Sequence, residues 1–353
     1  MTKPIKATMA DVAARAGVSP ATVARVLYAN GYVSAQKRVI VRAALEETGY
    51  RPNVMARALR TAKTFTLGMV VSESRLNAFH PYVAHEVQLE ALKHGYSVLT
   101  LNNGASEEIE RQGVHRFLDQ HVDAVIFCAA IDPSNVRLIA EAGVPTVQIE
   151  RESARVGSFS LVDPAPGMKE AIGHLRGLGH ARIAYIGGGS AVGRLENRRA
   201  KSVEVQRAEC FRRSMTSAGF DTPAEFIRLG PYYIEHADRQ PGRTMMRELL
   251  GLRDKPSAVV IGSDLLAAGA LQAIHEEALR VPQDVSIVGY DDTMAEILTP
   301  PLTSIAQPIA ELGRNAVTLA LAAIAGSDAP GRKMVVSTKL VIRQSTSAPC
   351  GGS

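Results

Sequence analysis

Apolar residues in the first fifty positions recur at helical spacing in three short runs. The first run, 9–16, sets Met9, Val12 and Ala13 on one face, with Thr8 as its cap. Gly17 follows where a left-handed residue ends a helix, and Val18 turns inward. Ser19 is a second cap, and Pro20 takes the first helical position, where its missing N–H costs nothing. That helix, 20–28, buries Val23, Val26 and Leu27. Two helices joined by a tight glycine-containing turn predict a helix-turn-helix. A third helix over 34–48, capped by Ser34 and stopped by Gly49, presents Val39, Val41, Ala44 and Leu45.

From residue 64 the pattern changes to short apolar runs alternating with helical stretches. Strands are predicted at 67–71, 96–101, 124–128, 146–150, 158–162, 182–187, 258–262 and 285–290, with a last one at 333–344. Helices are predicted at 80–93, 107–120, 133–142, 164–177, 201–218, 242–251 and 265–279. A βαβ series of this kind implies parallel, doubly wound sheets, and its restart near Pro164 implies two similar subdomains. Ligands in such folds bind beyond the carboxyl ends of the strands.

Charge divides the chain at the same place. Residues 1–63 hold eleven Lys/Arg against three acids, a net +8, while the remainder holds 29 basic and 32 acidic residues, a net −3. A basic head on a mildly acidic body is the footprint of a polyanion-binding module joined to something that does not bind polyanions. The three cysteines (Cys128, Cys210, Cys350) show no metal-ligand spacing and cannot all pair, which fits a reducing cytoplasm. Residues 1–9 carry Lys3 and Lys6 without an apolar run, and no apolar stretch of about 18 residues occurs, so neither a signal peptide nor a membrane span is expected.

The motif MADVAARAGVSPATVARVL over 9–27, then GYVS over 31–34 and TGYRPN over 48–53, resembles the headpiece of the LacI/GalR (lactose-repressor) family in order and spacing. The body is similar to the same family's sensor half, a relative of periplasmic binding proteins, through GLGHARIAYIG (177–187), VIGSD (260–264), VPQDVSIVGYDD (281–292) and PLTSIAQP (301–308). The resemblance runs from Met9 to about Gln344. It implies an all-α helix-turn-helix headpiece (1–51), a hinge (52–63) and an α/β periplasmic-binding-protein-like effector and dimerisation domain (64–345) of two doubly wound parallel-sheet subdomains. The N-subdomain would comprise 64–163 plus 308–332, the C-subdomain 164–307 plus 333–345, and 346–353 would be a tail.

The resemblance also implies roles. Pro20, Ala21 and Arg25 face base edges in the major groove. Arg25 can bind guanine O6/N7 in a bidentate manner, and Pro20 and Ala21 offer only apolar contact. Ser19, Thr22, Tyr32 and Ser34 hold phosphates. For Tyr32 the alternative is a packed aromatic of the headpiece core. Ala24 replaces a usual Ser and removes one such contact. Asn53 caps a hinge helix too short to stand alone, whose Leu59 wedges into the minor groove while Arg57 and Arg60 contact backbone or groove. In the sensor, Phe79, His80, Asp163, Arg207, Tyr232, Ser263, Asp291 and Gln307 fall on effector positions. Asp264 is read as a helix cap and Asp292 as structural. Carboxylates accept from hydroxyl pairs, Arg and Ser bridge, and an aromatic face covers C–H patches, which suits a sugar.

Three departures bear on the ligand. Residues 72–81 lack the family's Asn-Pro-aromatic string, 188–201 is long and basic, and Cys210 stands where Gly is usual. A sugar acid or sugar phosphate is therefore weighed beside a neutral sugar. The expected partners are operator DNA, the effector and a second copy of the chain, as a homodimer with tetramer as the alternative, and no membrane. No cofactor is expected, and a repressor is the expected function, with a periplasmic-type binding protein lacking a regulatory role as the alternative. Enzymatic readings do not hold. GGGS at 187–190 lacks the Lys-Ser/Thr ending of a phosphate loop, and His115, His121, His174 and His180 form no metal-ligand spacing.

Overall fold

A capping box opens the first helix: Thr8 Oγ1 accepts from the Asp11 N–H, and the Asp11 carboxylate accepts from the Thr8 N–H at 2.7 Å. The computed structural model describes residues 7–28, 30–51, 61, 63–71, 78–104, 106–128, 130–188, 202–230, 241–327 and 331–350. The chain divides into two compact units, Met1–Thr64 and Phe65–Ser353.

The first unit holds α1 (Met9–Ala16), α2 (Pro20–Leu27) and α3 (Ala35–Thr48). Gly17 and Gly49 end α1 and α3 at φ 63° and 61°, a conformation that glycine adopts without strain. Val12, Ala13, Ala16, Val23, Val41 and Ala44 form the buried centre, with Val18, Val26, Leu27 and Leu45 packed against it. Val39, expected on the buried stripe of α3, is 68% exposed. Two residues before Val41 is about 200° around the helix, off the stripe that Val41 and Ala44 define.

The second unit has two six-stranded sheets. The first contains β1 (Thr66–Val71), β2 (Ser97–Asn102), β3 (Ala124–Cys128), β4 (Thr146–Ile149), β5 (Ser158–Asp163) and β11 (Lys333–Ser337), in the order β11-β5-β4-β3-β1-β2 and all parallel. Leu67 and Met69 of β1 face α4 (Phe79–Lys93) and α11 (Ile309–Ile324); Val70 faces α5 (Glu107–Asp119) and α6 (Pro133–Glu141). The second sheet contains β6 (Ile183–Gly188), β7 (Ile227–Gly230), β8 (Ala258–Ile261), β9 (Ser286–Asp291), β10 (Thr303–Ala306) and β12 (Lys339–Val341), in the order β12-β10-β9-β8-β6-β7. Ile183 and Tyr185 of β6 face α7 (Ala165–Gly177) and α8 (Val203–Ser217); Ala184 and Ile186 face α9 (Pro241–Leu250) and α10 (Asp264–Glu276). Each sheet is thus covered on both faces, as its uninterrupted apolar strands require.

Three expectations need correction. The last strand, read as one piece over 333–344 within the second subdomain, is two. β11 pairs with β5 in the first sheet, and β12 runs antiparallel to β10 in the second. The change of sheet occurs at buried Thr338, whose N–H and hydroxyl both donate to the Asp163 carbonyl. Asp264 is not the cap of its helix. Ser263 is, accepting from the Leu266 N–H at 3.1 Å. The Asp264 carboxylate instead accepts from the Thr293 and Met294 N–H groups and the Ser304 hydroxyl, tying α10 to the loop after β9. The residues beginning the expected tail are docked: Thr346 meets His174 at 2.9 Å, and Ser347 joins a buried network.

His180 is the centre of that network. Its Nε2 donates to the Ser347 carbonyl at 2.8 Å, which leaves Nδ1 of the neutral ring to accept from the Ser257 hydroxyl at 2.9 Å. Burial lowers its pKa, the Ser347 carbonyl opposes this, and His174, itself lowered by burial, adds to the depression. A depressed histidine takes up its proton in the unfolded chain first, so its stabilisation is complete above about pH 6.5 and is lost as pH falls below that value. The unfolding free energy of the wild type relative to His180→Asn is therefore expected to shrink between pH 7.5 and 5.5 in urea titrations. A difference independent of pH would contradict this account.

Candidate functional site

Two faces carry the chemistry, one in each unit. In the first unit, Pro20, Ala21 and Arg25 are all exposed on α2. The stem of Arg25 passes over Gly31, where a Cβ would lie 3.7 Å from Arg25 Cδ. Ser19 and Thr22 share a 3.0 Å hydroxyl contact at the start of α2, and Ser34 caps α3. Tyr32 is 88% exposed, so its ring is not part of the headpiece core. Asn53, Arg57, Leu59 and Arg60 lie outside the described residues.

In the second unit, charged side chains converge from the carboxyl ends of strands in both sheets. His80 lies in the first turn of α4, after β1, and Glu150 directly follows β4. Arg207 stands on α8, after β6; Asp291 ends β9; Gln307 follows β10. Arg207 is 3% exposed. Its Nη2 lies 3.3 Å from Asp291 Oδ1 and 3.5 Å from Glu150 Oε1, and its Nη1 donates to the Gly262 carbonyl at 2.8 Å. The guanidinium carbon stands 4.0 Å from the centre of the Tyr290 ring, a cation–π contact between two buried side chains. Gln307 Nε2 donates to Asp291 Oδ1 at 2.7 Å. On the other side, Glu150 Oε2 lies 3.5 Å from His80 Nε2 and 3.7 Å from Arg151 Nη2. One arginine therefore joins a carboxylate of each sheet.

The two carboxyls are held differently. Burial alone would raise Glu150, but the facing His80 and the charges of Arg151 and Arg207 outweigh it and bring its pKa to about 2. Burial raises Asp291 to about 7, although Arg207 and the Gln307 hydrogen bond both pull it down. Glu150 is ionised across the working range, whereas Asp291 changes charge near neutrality. Such a constellation can bind a neutral hydroxylated molecule, since it offers acceptors, amide and guanidinium donors, and no large net charge.

Four of the expected effector residues, His80, Arg207, Asp291 and Gln307, are thus brought together. Three are not. Phe79 is 2% exposed within the core of the first sheet, Ser263 caps α10, and the Asp163 carboxylate accepts from the Ala165 N–H at 2.9 Å. Tyr232 lies outside the described residues, as does most of the basic stretch 188–201. Asp292 pairs with Arg343 at 2.6 Å. Glu150 and Arg151 were not among the expected residues. The available signal was an acid closing an apolar strand; its φ of 70°, a left-handed conformation, is visible only in the structure. Among the described residues no group of His, Cys, Asp and Glu could hold a metal ion, and no helix is long and apolar enough to cross a membrane.

The chain is similar to known proteins over most of its length. Residues 8–53 match the model for bacterial regulatory proteins of the lacI family, and residues 172–346 match a periplasmic binding protein-like domain. The ribose operon repressor of Escherichia coli (strain K12) is 33% identical over 319 residues, covering 88% of this chain and 91% of that protein. Among solved structures, a lac repressor dimer bound to operator and the anti-inducer ONPF superimposes with a TM-score of 0.74 at 27% identity, over 97% of this chain and 100% of that one. A complex of the transcriptional regulator CelR with cellobiose gives 0.69 at 30% identity, over 96% and 100%.

Proposed function

We infer the mechanism from one premise: the chain belongs to the lacI family of bacterial regulatory proteins. It is a DNA-binding transcriptional regulator, not an enzyme, and its operator affinity is set by a small hydroxylated effector. Its partners are operator DNA, the effector and a second copy of itself. The reading places it in the cytoplasm.

The observation that carries the mechanism is the Glu150–Arg207–Asp291 bridge between the ends of the two sheets. An effector whose hydroxyls take over contacts of this bridge changes the setting of one subdomain against the other. Its affinity then differs between the DNA-competent and DNA-incompetent arrangements, a coupling typically of about 1–3 kcal/mol. The headpiece reads DNA through Pro20, Ala21 and Arg25, with Ser19, Thr22, Tyr32 and Ser34 on phosphates and Asn53, Arg57, Leu59 and Arg60 at the hinge. His80, Glu150, Arg207, Asp291 and Gln307 form the centre of the effector site; Asp163, Ser263, Phe79 and Tyr232 are assigned to it by the family resemblance alone.

A thermal-shift screen of sugars, sugar acids and sugar phosphates, followed by DNA binding with and without the hit, tests this reading. It fails if the protein binds no duplex at low salt in any ligand state. Arg25→Ala is expected to cost about 1–3 kcal/mol against the preferred base pair and to relax selection at one operator position. Binding of the variant to duplexes selected from a random pool checks it. Equal weakening on every sequence would reassign Arg25 to phosphate.

A further inference from the structure

One buried hydroxyl at the cleft has no role in the assignments above. Tyr185 of β6 is fully buried. Its ring is well placed: it belongs to the core under α7 and α8 and stacks on Phe211, with centroids 5.0 Å apart and planes at 30°. A phenylalanine ring would make the same contacts. The hydroxyl is another matter, because its oxygen has no hydrogen-bond partner among the described residues. A buried hydroxyl left without a partner is destabilising.

The fold nonetheless makes room for it. A Cβ on Gly262, at the end of β8, would stand 2.8 Å from the Tyr185 hydroxyl oxygen; the next atoms, Gly187 Cα and the Ile186 carbonyl, are 3.4 and 3.5 Å away. Gly262 is thus kept free of a side chain by the hydroxyl and not by the ring. At Gly187 a Cβ would meet both the ring, 2.5 Å from Cε1, and the hydroxyl oxygen, at 2.8 Å, so two glycines flank this hydroxyl. The Gly262 carbonyl is also the acceptor for Arg207 Nη1. Among charged groups Arg207 acts most strongly on the phenol, while burial raises the Tyr185 pKa and keeps the proton on oxygen. The hydroxyl therefore lies at the cleft ends of β6 and β8, beside the cation that bridges the two sheets.

We propose that Tyr185 is a further effector-contact residue, whose hydroxyl exchanges a hydrogen bond with an oxygen of the effector and for which Gly262 leaves the space. The proposal rests on the reading of this cleft as a site for a hydroxylated molecule. It makes Tyr185 a specificity residue: a ligand with an oxygen at that depth gains a bond, and one with a carbon there leaves the hydroxyl unsatisfied.

Tyr185→Phe, Gly262→Ala and the double variant test it, with D-ribose, cellobiose, D-gluconate and ribose 5-phosphate as probes in thermal-shift and calorimetric titrations. Without ligand, Tyr185→Phe is expected to unfold at or above the wild-type temperature, because it removes only an unpaired hydroxyl. Whichever probe shifts the wild type should bind Tyr185→Phe about fivefold or more weakly, the worth of one neutral hydrogen bond. Gly262→Ala should lower the unfolding temperature in the wild-type background and much less in the Tyr185→Phe background. A lower unfolding temperature for unliganded Tyr185→Phe, or a dissociation constant within twofold of wild type, overturns the assignment. If no probe shifts the wild type, the hydroxylated-effector reading itself has failed and the assignment with it. If the wild type responds and Tyr185→Phe responds equally, only the role of Tyr185 has failed.

Discussion

Replacing Arg207 with leucine is expected to destabilise the second unit by about 3–5 kcal/mol and to abolish the response to effector. Leucine fills part of the volume, so packing is a minor factor. The larger loss is electrostatic: the Glu150 and Asp291 side chains are only 7% and 4% exposed, and each would lose the cation 3.3–3.5 Å away. They would not respond alike. Glu150 keeps His80 and Arg151 beside it and stays ionised at some cost. Asp291, already raised to about 7 by burial, rises further without Arg207 and escapes its charge by holding a proton. The penalty should therefore be smallest near pH 6, where Asp291 is largely protonated in wild type and variant alike. It should grow through pH 8, where only the wild type ionises it against a partner. Lysine is not an adequate replacement, because one ammonium cannot reach the Gly262 carbonyl and both carboxylates with the geometry of a guanidinium. Urea titrations of Arg207→Leu at pH 6, 7 and 8 check this. A loss under 1 kcal/mol, or one that falls with rising pH, would remove the bridge from the mechanism.

Much of this fold is legible in the sequence because the inner strands of its sheets are buried on both faces. Such strands read as unbroken apolar runs, and helices of ten to fifteen residues separate them. The elements that escape are those whose burial is settled elsewhere. β7 is four residues at a sheet edge, with Leu229 44% exposed, so no apolar run marks it. β10 is fully buried yet half polar, since the Thr303 hydroxyl accepts from the Arg343 N–H and the Ser304 hydroxyl donates to Asp264. α11 has the helical period, but it follows Pro308 and has no side-chain cap to announce its start. The site divides the same way. Arg207 and Asp291 stand in recognisable motifs. Glu150 closes an apolar strand, where an acid reads as a solvent-facing terminus. Only the approach of α8 from the other subdomain turns it into a buried partner of Arg207. A tertiary event of that kind leaves no local pattern.

The end of the chain gives the second large expectation: stopping it after Gln344 should cost the second unit about 3–6 kcal/mol, whereas stopping it after Ala348 should cost little. Ser345 is fully buried, and its hydroxyl donates to the Ile287 carbonyl at 2.6 Å while accepting from the Thr303 N–H at 2.8 Å. Its carbonyl accepts from the Ile287 N–H at 2.8 Å. Without Ser345, those two N–H groups lose their partners at the junction of β9 and β10, and a buried unpaired donor costs about 1–3 kcal/mol. Loss of Ser347 also takes away the carbonyl that receives the His180 hydrogen and the N–H given to Ser286. His180 would then keep only hydroxyl partners, at Ser257 and Ser286, at the amino-terminal base of the second sheet. Cys350, by contrast, contributes one thiol contact to the Gln283 carbonyl at an exposed position. The base of the sheet is opposite the ends that carry Arg207 and Asp291, so the shorter chain should lose stability while its ligand-induced shift in unfolding temperature persists. Calorimetric unfolding of the two truncated chains, with and without the effector found by screening, separates these outcomes. Equal unfolding temperatures for the two would show that the Ser345–Ser347 segment is an ornament of the fold and not one of its fastenings.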